Sequence, residues 1–243
     1  MNQGLICGID ANCKEDNCMN CWVKQFSLLD GLSEAELEVL NDNRGSQTFA
    51  AGEVIFKEGE SPKGLLCLRD GKVKITKAGI LDTNAIISLN KPVDFLGLEA
   101  LILEKEYQTS AIAIDKVSIC FIGADNFLEI LKQNSTLSLK VMALLAEKNI
   151  ESHERLLILT QKHLRGRLAD ALLLLHKQYG FLPDNKTLNI QLKRAELAAL
   201  ANMTAANAIR VLSVFSKENL ITTDKRKIAI HDIDGLIRVS QLG

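Results

Sequence analysis

The chain has 243 residues, 47% of them hydrophobic and 24% charged, with a net charge of −1 and six cysteines. It is too apolar for a disordered polymer and has the ordinary composition of a packed protein of one to two domains. No apolar run nears the ~20 residues of a membrane-spanning helix, and Met1-Asn2-Gln3-Gly4 does not open a secretory leader, so a cytoplasmic protein without a membrane partner is expected.

Residues 1–26 form a cysteine-bearing lead-in, with Cys7, Cys13, Cys18 and Cys21 spaced C-x5-C-x4-C-x2-C. Without export, disulfides are not expected. Thiolates this close together hold a metal centre, with zinc and an iron–sulfur cluster both chemically allowed. Leu28 to Leu40 reads as a short helix, with Ser33 as its cap and Glu36 completing a capping box.

From Gln47 to Ile122 the pattern changes to short apolar runs between breaks. Val54-Ile55-Phe56, Leu65-Leu66-Cys67-Leu68, Val73 to Ile75 and Ala85-Ile86-Ile87 are separated by Ala51-Gly52, Glu58-Gly59, Asp70-Gly71 and Lys91-Pro92. Many short strands at this spacing predict an antiparallel sandwich or barrel. Cys67 lies in a run that is apolar on both faces and reads as a buried core thiol. By strand alternation Val117, Ile119 and Phe121 share one face, while Ser118 and Cys120 share the other. With the first set on the core, Cys120 is expected to look outward.

Helical periodicity begins at Asp125, which can cap Asn126–Leu131. A second helix from Ser135 to about Gln161 would span roughly 39 Å. Met142, Leu145, Asn149, Ser152, Leu156, Leu159 and His163 alternate in steps of three and four, a coiled-coil seam with a polar middle. Such a helix lies on its own β-domain or pairs with a second copy. The favoured reading is a parallel homodimer, weakened at its centre by Asn149 and Ser152.

Another helix, Leu168–Tyr179, follows Arg165-Gly166-Arg167. Lys193 to Ala201 is then a short helix, Asn202-Met203 a turn, Thr204 an N-cap and Ala205 to Lys217 a second helix with Ala208, Val211, Leu212 and Phe215 inward. Leu220 to Thr222 and Lys227 to Ile230 form a hairpin with a basic tip. This is a winged helix-turn-helix for double-stranded DNA. Ala205, Ala206, Ile209 and Arg210 would face the major groove, with Arg210 suited to guanine. Thr204, Asn207, Lys193, Lys225 and Arg226 suit phosphates. Charge agrees: residues 1–160 carry 16 basic and 23 acidic side chains, a net −7, while residues 161–243 carry 13 and 7, a net +6. With no glycine-rich phosphate loop and four scattered histidines, an enzyme is not expected.

The order of acidic lead-in, β-domain, long helix and winged helix-turn-helix resembles the cyclic-AMP receptor protein/FNR family of bacterial transcription regulators. Gly59-Glu60, Gly71-Lys72-Val73 and Asp94-Phe95-Leu96-Gly97 resemble the turns of its β-roll, and Leu164-Arg165-Gly166-Arg167-Leu168-Ala169 resembles the approach to its DNA domain. The resemblance implies an α+β chain: a cysteine-rich segment over 1–26, a cupin-like β-roll of the cyclic-nucleotide-binding type over 27–134, a dimerisation helix over 135–161 and the DNA-binding domain over 162–243. It also implies RNA polymerase as a partner. Cyclic-nucleotide binders of the family carry Glu after the glycine matching Gly97 and Arg before the serine matching Ser110. Here Leu98 and Thr109 stand there, so cyclic AMP is not expected to bind.

The cysteines resemble those of the FNR branch, which holds a [4Fe–4S] cluster on three N-terminal cysteines and one in the β-roll. Cys18 and Cys21 match its C-x2-C, and Cys120 matches the distant ligand. The next family cysteine is replaced by Ser27. The missing ligand is then expected upstream, from Cys13 with its shorter loop or from Cys7. Alternatively the four N-terminal cysteines ligate alone. Where many members have Glu early in the recognition helix, this chain has Ala206. The alternative function is a family regulator without a cluster, gated by another small ligand or with cysteines on zinc.

Overall fold

The computed structural model describes residues 21–79 and 84–242. A single 3-10 turn, Trp22–Phe26, leads into α1, Glu34–Asn41. Ser33 caps α1: its Oγ accepts the Glu36 N–H, and the Glu36 carboxylate accepts the Ser33 N–H at 2.8 Å, closing the box that the sequence predicts. The helix starts six residues later than the apolar pattern suggested, because residues 27–31 are spent on turns.

Eight strands follow: β1 Arg44–Phe49, β2 Val54–Phe56, β3 Gly64–Asp70, β4 Val73–Ala78, β5 Asn84–Asn90, β6 Phe95–Leu96, β7 Ser110–Ala113 and β8 Val117–Gly123. They make two antiparallel four-stranded sheets, ordered β1-β8-β3-β6 and β2-β7-β4-β5. Between them lies a core of Phe56, Leu68, Val73, Ile75, Leu96, Ala111, Ala113, Val117 and Ile119. A short α2, Leu98–Ile102, follows β6.

The outer face of the first sheet is covered as well. Leu65, Cys67, Cys120 and Ile122 point away from the roll interior, into a second core with Leu29, Leu37 and Leu40, with Phe127 and Ile130 of α3, Ala124–Gln133, and with Leu137 and Val141 at the start of α4, Ser135–Gln161. Cys120 is therefore 4% exposed rather than outward-looking. Strand alternation assigned its face correctly, but helices cover that face and exclude water from it.

Beyond its second turn α4 is half-buried at most. Only Leu137 and Val141 are buried along its 27 residues. α5, Leu164–Tyr179, begins four residues earlier than the sequence pattern placed it. It packs with α6, Arg194–Leu200, α7, Ala205–Lys217, the hairpin β9, Ile221–Asp224, and β10, Lys227–Ile230, and α8, Ile233–Leu242. Their core, centred on Leu168, Leu172, Leu197, Leu212 and Phe215, also takes in Ile86 and Leu89 of β5. The C-terminal helices are thus seated on the roll. Among the described residues no single helix is long and apolar enough to cross a membrane.

Candidate nucleic-acid interface and thiol cavity

α6 and α7 meet through a turn in which Asn202 adopts φ +49°, a left-handed conformation that asparagine tolerates. Thr204 caps α7, its Oγ1 accepting the Asn207 N–H at 3.2 Å. Ala208, Val211, Leu212 and Phe215 are buried, which turns the opposite face to solvent. Thr204, Ala206, Ile209 and Arg210 are exposed there, while Ala205 and Asn207 are half-buried. Ile209 is 53% exposed, an apolar side chain held on the surface of a helix that has its own core face.

The wing tip sits beside the start of this motif. β9 and β10 pair from Asp224↔Lys227 to Ile221↔Ile230, and the exposed Lys225 and Arg226 close the hairpin. Lys225 takes φ +49°. Its carbonyl accepts a hydrogen bond from Arg194 Nη2 at 2.6 Å, which fastens the tip to the first turn of α6. Lys193, Lys225, Arg226 and the exposed Lys227 therefore flank the α7 surface with positive charge. Lys227 and the positioning residue Arg194 were absent from the sequence-based set. Arg165 clamps the other end of α7, with both amino nitrogens on Glu218 at 2.9 and 2.8 Å and its guanidinium 5.4 Å from the Phe215 ring centre. The Arg165 hydrogen bond holds the Glu218 carboxyl below its usual range.

Polar contacts tie this module to the roll. Arg155 of α4 donates to the carbonyls of Ile87 and Ile86 on β5, at 2.7 and 2.6 Å, and to that of Leu200 at the end of α6, at 3.1 Å. Lys74 of β4 pairs with Glu196 of α6 at 2.5 Å, both side chains under one-fifth exposed. Burial pushes the Glu196 carboxyl up, but hydrogen bonds from Lys74 and the Lys193 N–H outweigh it and leave the group below its ordinary value. Tyr179 donates to the Asn90 carbonyl at 3.2 Å.

A second site lies on the roll, where the lead-in joins it. Cys21, Cys67 and Cys120 line one small cavity between the first sheet and the 3-10 turn, with Val23, Leu29 and Ile122 as apolar wall and Lys24, Arg44 and Arg69 as cationic rim. Arg44 Nη2 donates to Cys120 Sγ at 3.0 Å. Cys67 and Cys120 stand directly opposite each other in the β3–β8 register. Ser27 does not line the cavity: its hydroxyl donates to the Lys24 carbonyl at 3.1 Å and accepts the Leu29 N–H at 3.2 Å. Cys7, Cys13 and Cys18 lie outside the described residues. Sequence reading placed Cys21 and Cys120 among the candidates but set Cys67 aside. Its meeting with Cys120 follows from the β3–β8 register, which the sequence pattern alone does not show.

Along α4, Met142, Asn149, Ser152 and Leu156 are exposed, while Leu145 and Leu159 are half-buried. Leu139, Ile150 and Leu157, outside the sequence-derived seam, are 63%, 58% and 54% exposed, so the uncovered apolar stripe is broader than that seam.

Comparison with known proteins agrees with this architecture. The profile of the cyclic nucleotide-binding domain matches residues 46–134, and that of the Crp-like helix-turn-helix domain matches residues 166–239. The chain belongs to the CRP/FNR family of transcription regulators. An anaerobic regulatory protein of Haemophilus influenzae is 24% identical over 228 residues, covering 92% of this chain and 88% of that one. A cyclic AMP receptor protein of Thermus thermophilus is 26% identical over 199 residues, covering 82% and 89%. Among solved structures, a CRP/FNR-family regulator from Thermus thermophilus superposes with a TM-score of 0.67 at 23% identity, covering 81% of this chain and 98% of that one. FixK2 from Bradyrhizobium japonicum gives 0.73 at 18%, covering 81% and 96%. These likenesses fix the fold of this CRP/FNR regulator as a β-roll, long helix and helix-turn-helix domain. The family consists of transcription regulators, not enzymes.

In this CRP/FNR chain an aromatic ring packs against the first of the segments compared above for cyclic-nucleotide binding. Gly97 has φ +68°, and a Cβ there would come within 2.4 Å of the Tyr107 ring. Tyr107 stacks on Phe56 with centroids 3.8 Å apart and is 6% exposed. Burial, reinforced by Glu99 and Glu60, pushes its phenol up to about 12, so it stays neutral.

Proposed function

We propose that this chain is a homodimeric, sequence-specific DNA-binding regulator gated by a [4Fe–4S] cluster sensitive to oxygen or nitric oxide. The observation that carries the reading is the cavity where Cys21, at the end of the lead-in, meets Cys120 on β8. Its donor chemistry fits such a group: four thiolates around a 2+ core leave a net negative charge, and Lys24, Arg44 and Arg69 supply the opposite sign without a carboxylate in the lining. Cys18, together with Cys13 or Cys7, would complete the set. A bound cluster supplies a centre that oxygen or nitric oxide destroys.

The remaining steps belong to the protein. Ligation by Cys21 and Cys120 ties the lead-in to the outer face of the first sheet. Leu137 and Val141 of α4 share the packed core of that face. The fastening of the lead-in therefore bears on the seat of α4, whose exposed stripe of Leu139, Met142, Ile150, Leu156 and Leu157 pairs with a second copy. Asn149 and Ser152 keep that pairing weak enough to respond. Two-fold DNA sites need two reading heads, so dissociation to monomers costs most of the affinity. On DNA, Arg210 pairs with guanine, Ala205, Ala206 and Ile209 meet thymine methyls, and Thr204, Asn207, Lys193, Lys225 and Arg226 hold phosphates. RNA polymerase is the partner at the promoter. Cyclic AMP is not the ligand, for Leu98 and Thr109 supply neither the carboxylate nor the guanidinium that its ribose and phosphate need.

Purification under strict anaerobiosis tests the reading. The expected result is about four irons and four sulfides per chain with broad visible absorption. Zinc in place of iron, or neither metal, would overturn it.

A further inference from the structure

We propose that Cys67 is a thiolate ligand of the same site, taking the place of the family cysteine that is Ser27 here. The inference rests on the cluster reading above and concerns which residues hold the group. Cys67 and Cys120 are direct partners in the antiparallel β3–β8 register, so their side chains leave the sheet on the same face. Directly opposed residues place their Cβ atoms about 4.5–5.5 Å apart. Both are 4% exposed, and both line the cavity that Cys21 also lines.

A buried cysteine by itself is usually a small apolar core residue. Here three thiols from three separate elements meet one cavity beside three cationic side chains, which an apolar core has no use for. Among the described residues no three ligand groups gather closely enough for a single metal ion. A polynuclear cluster does not require that, because each iron takes its own thiolate. Ser27 is occupied elsewhere, with its hydroxyl closing the turn at Lys24 and Leu29.

If Cys21, Cys67 and Cys120 all ligate, the fold supplies three thiolates and the lead-in adds one more. Cys18 is that one, because it stands three residues before Cys21. Each thiol loses its proton on ligation, and a 2+ core is made up of two ferric ions, two ferrous ions and four sulfides, so its assembly from those ions consumes no further oxidant or reductant. Cys7 and Cys13 then become dispensable, which contrasts with the expectation from spacing alone.

The test compares full-length wild type, Cys67→Ala, Cys120→Ser and the double variant Cys7→Ser/Cys13→Ser. Each is reconstituted anaerobically with equal amounts of ferrous and ferric iron and with sulfide. Iron, sulfide, the visible spectrum and the change in Tm on loading are read for each. Alanine keeps position 67 small and apolar, and the Tm of the unloaded variant checks that it folds. We expect the double variant to match wild type, and Cys67→Ala and Cys120→Ser to lose about ten-fold or more of the bound iron together with the rise in Tm that loading gives. Full iron, sulfide and spectrum in Cys67→Ala, with loss in the double variant, would overturn the role of Cys67 and leave the cluster reading standing. A wild type that takes up no iron would overturn both.

Discussion

The reading end and the thiol cavity are built in opposite ways. The reading end is local: one stretch from Lys193 to Arg226 supplies the helix, turn, cap, recognition helix and wing tip. The cavity is non-local, with Cys21, Cys67 and Cys120 brought together by strand register and a covering layer of helices. A local module keeps its shape through its own core and caps. A non-local cavity depends on the fold around it, which suits a sensor whose occupancy must be felt elsewhere. Arg155, bonded at once to β5 of the second sheet and to the end of α6, ties the reading module to the roll that carries the cavity on its other sheet.

The sharpest way to break the comparison is to damage one side alone. Phe215 is fully buried at the centre of the reading module, and Phe215→Ala is expected to cost about 3–5 kcal/mol of stability. Urea unfolding measures this. DNA binding should vanish while iron uptake persists. Loss of iron uptake as well would mean that the regions fold as one unit. Next comes the bridge. Arg155→Ala strands three carbonyls and is expected to cost about 2–3 kcal/mol by the same assay. It should also leave DNA affinity less responsive to the state of the cavity.

Smaller effects separate reading from holding. Arg210→Ala should relax base choice by about 1–3 kcal/mol at one position of each half-site, with little change in stability, measured by anisotropy against a set of duplexes. Lys225→Ala should weaken binding to all duplexes alike and flatten its salt dependence. The smallest effect is the Arg165–Glu218 clamp. Arg165 lowers the Glu218 pKa in the folded state, so this contribution is fully present above the ordinary carboxylate value of 4.5 and is lost as the pH falls below it. Both side chains are about two-fifths exposed, so screening holds it to about 0–1 kcal/mol. A pH series of unfolding midpoints for wild type and Arg165→Ala should diverge above pH 4.5 and converge below it.

What the sequence discloses follows the same division. The helix-turn-helix was legible because a cap, a turn asparagine and a 3.6-residue period all lie within a few turns of one another. Thr204, Asn202 and the inward face of α7 stand where those signs put them. The Ser33–Glu36 box was legible for the same reason. The roll was legible as a class, from its breaks, but not in its pairing. Alternation put Cys120 on the right face of β8 yet could not say that helices cover it, and so its burial was missed. The partnership of Cys67 with Cys120 needs the register of two strands about fifty residues apart, which no local period encodes. On α4 the three-four spacing identified a seam, but which stripe stays uncovered depends on how the first turns dock on the roll. That is why Leu139, Ile150 and Leu157 were left out. Arg155 and Arg194 look like ordinary surface cations in the sequence, and only the packing of domains gives them carbonyls to hold.

The most direct test of the link between cavity and reading end uses one anaerobic sample. Its affinity for a selected duplex and its visible spectrum are followed together as oxygen is admitted. Affinity should fall by about ten-fold or more in step with the loss of the visible band, as expected when dimers with two reading heads become monomers with one. Unchanged affinity after the band has gone would contradict the account.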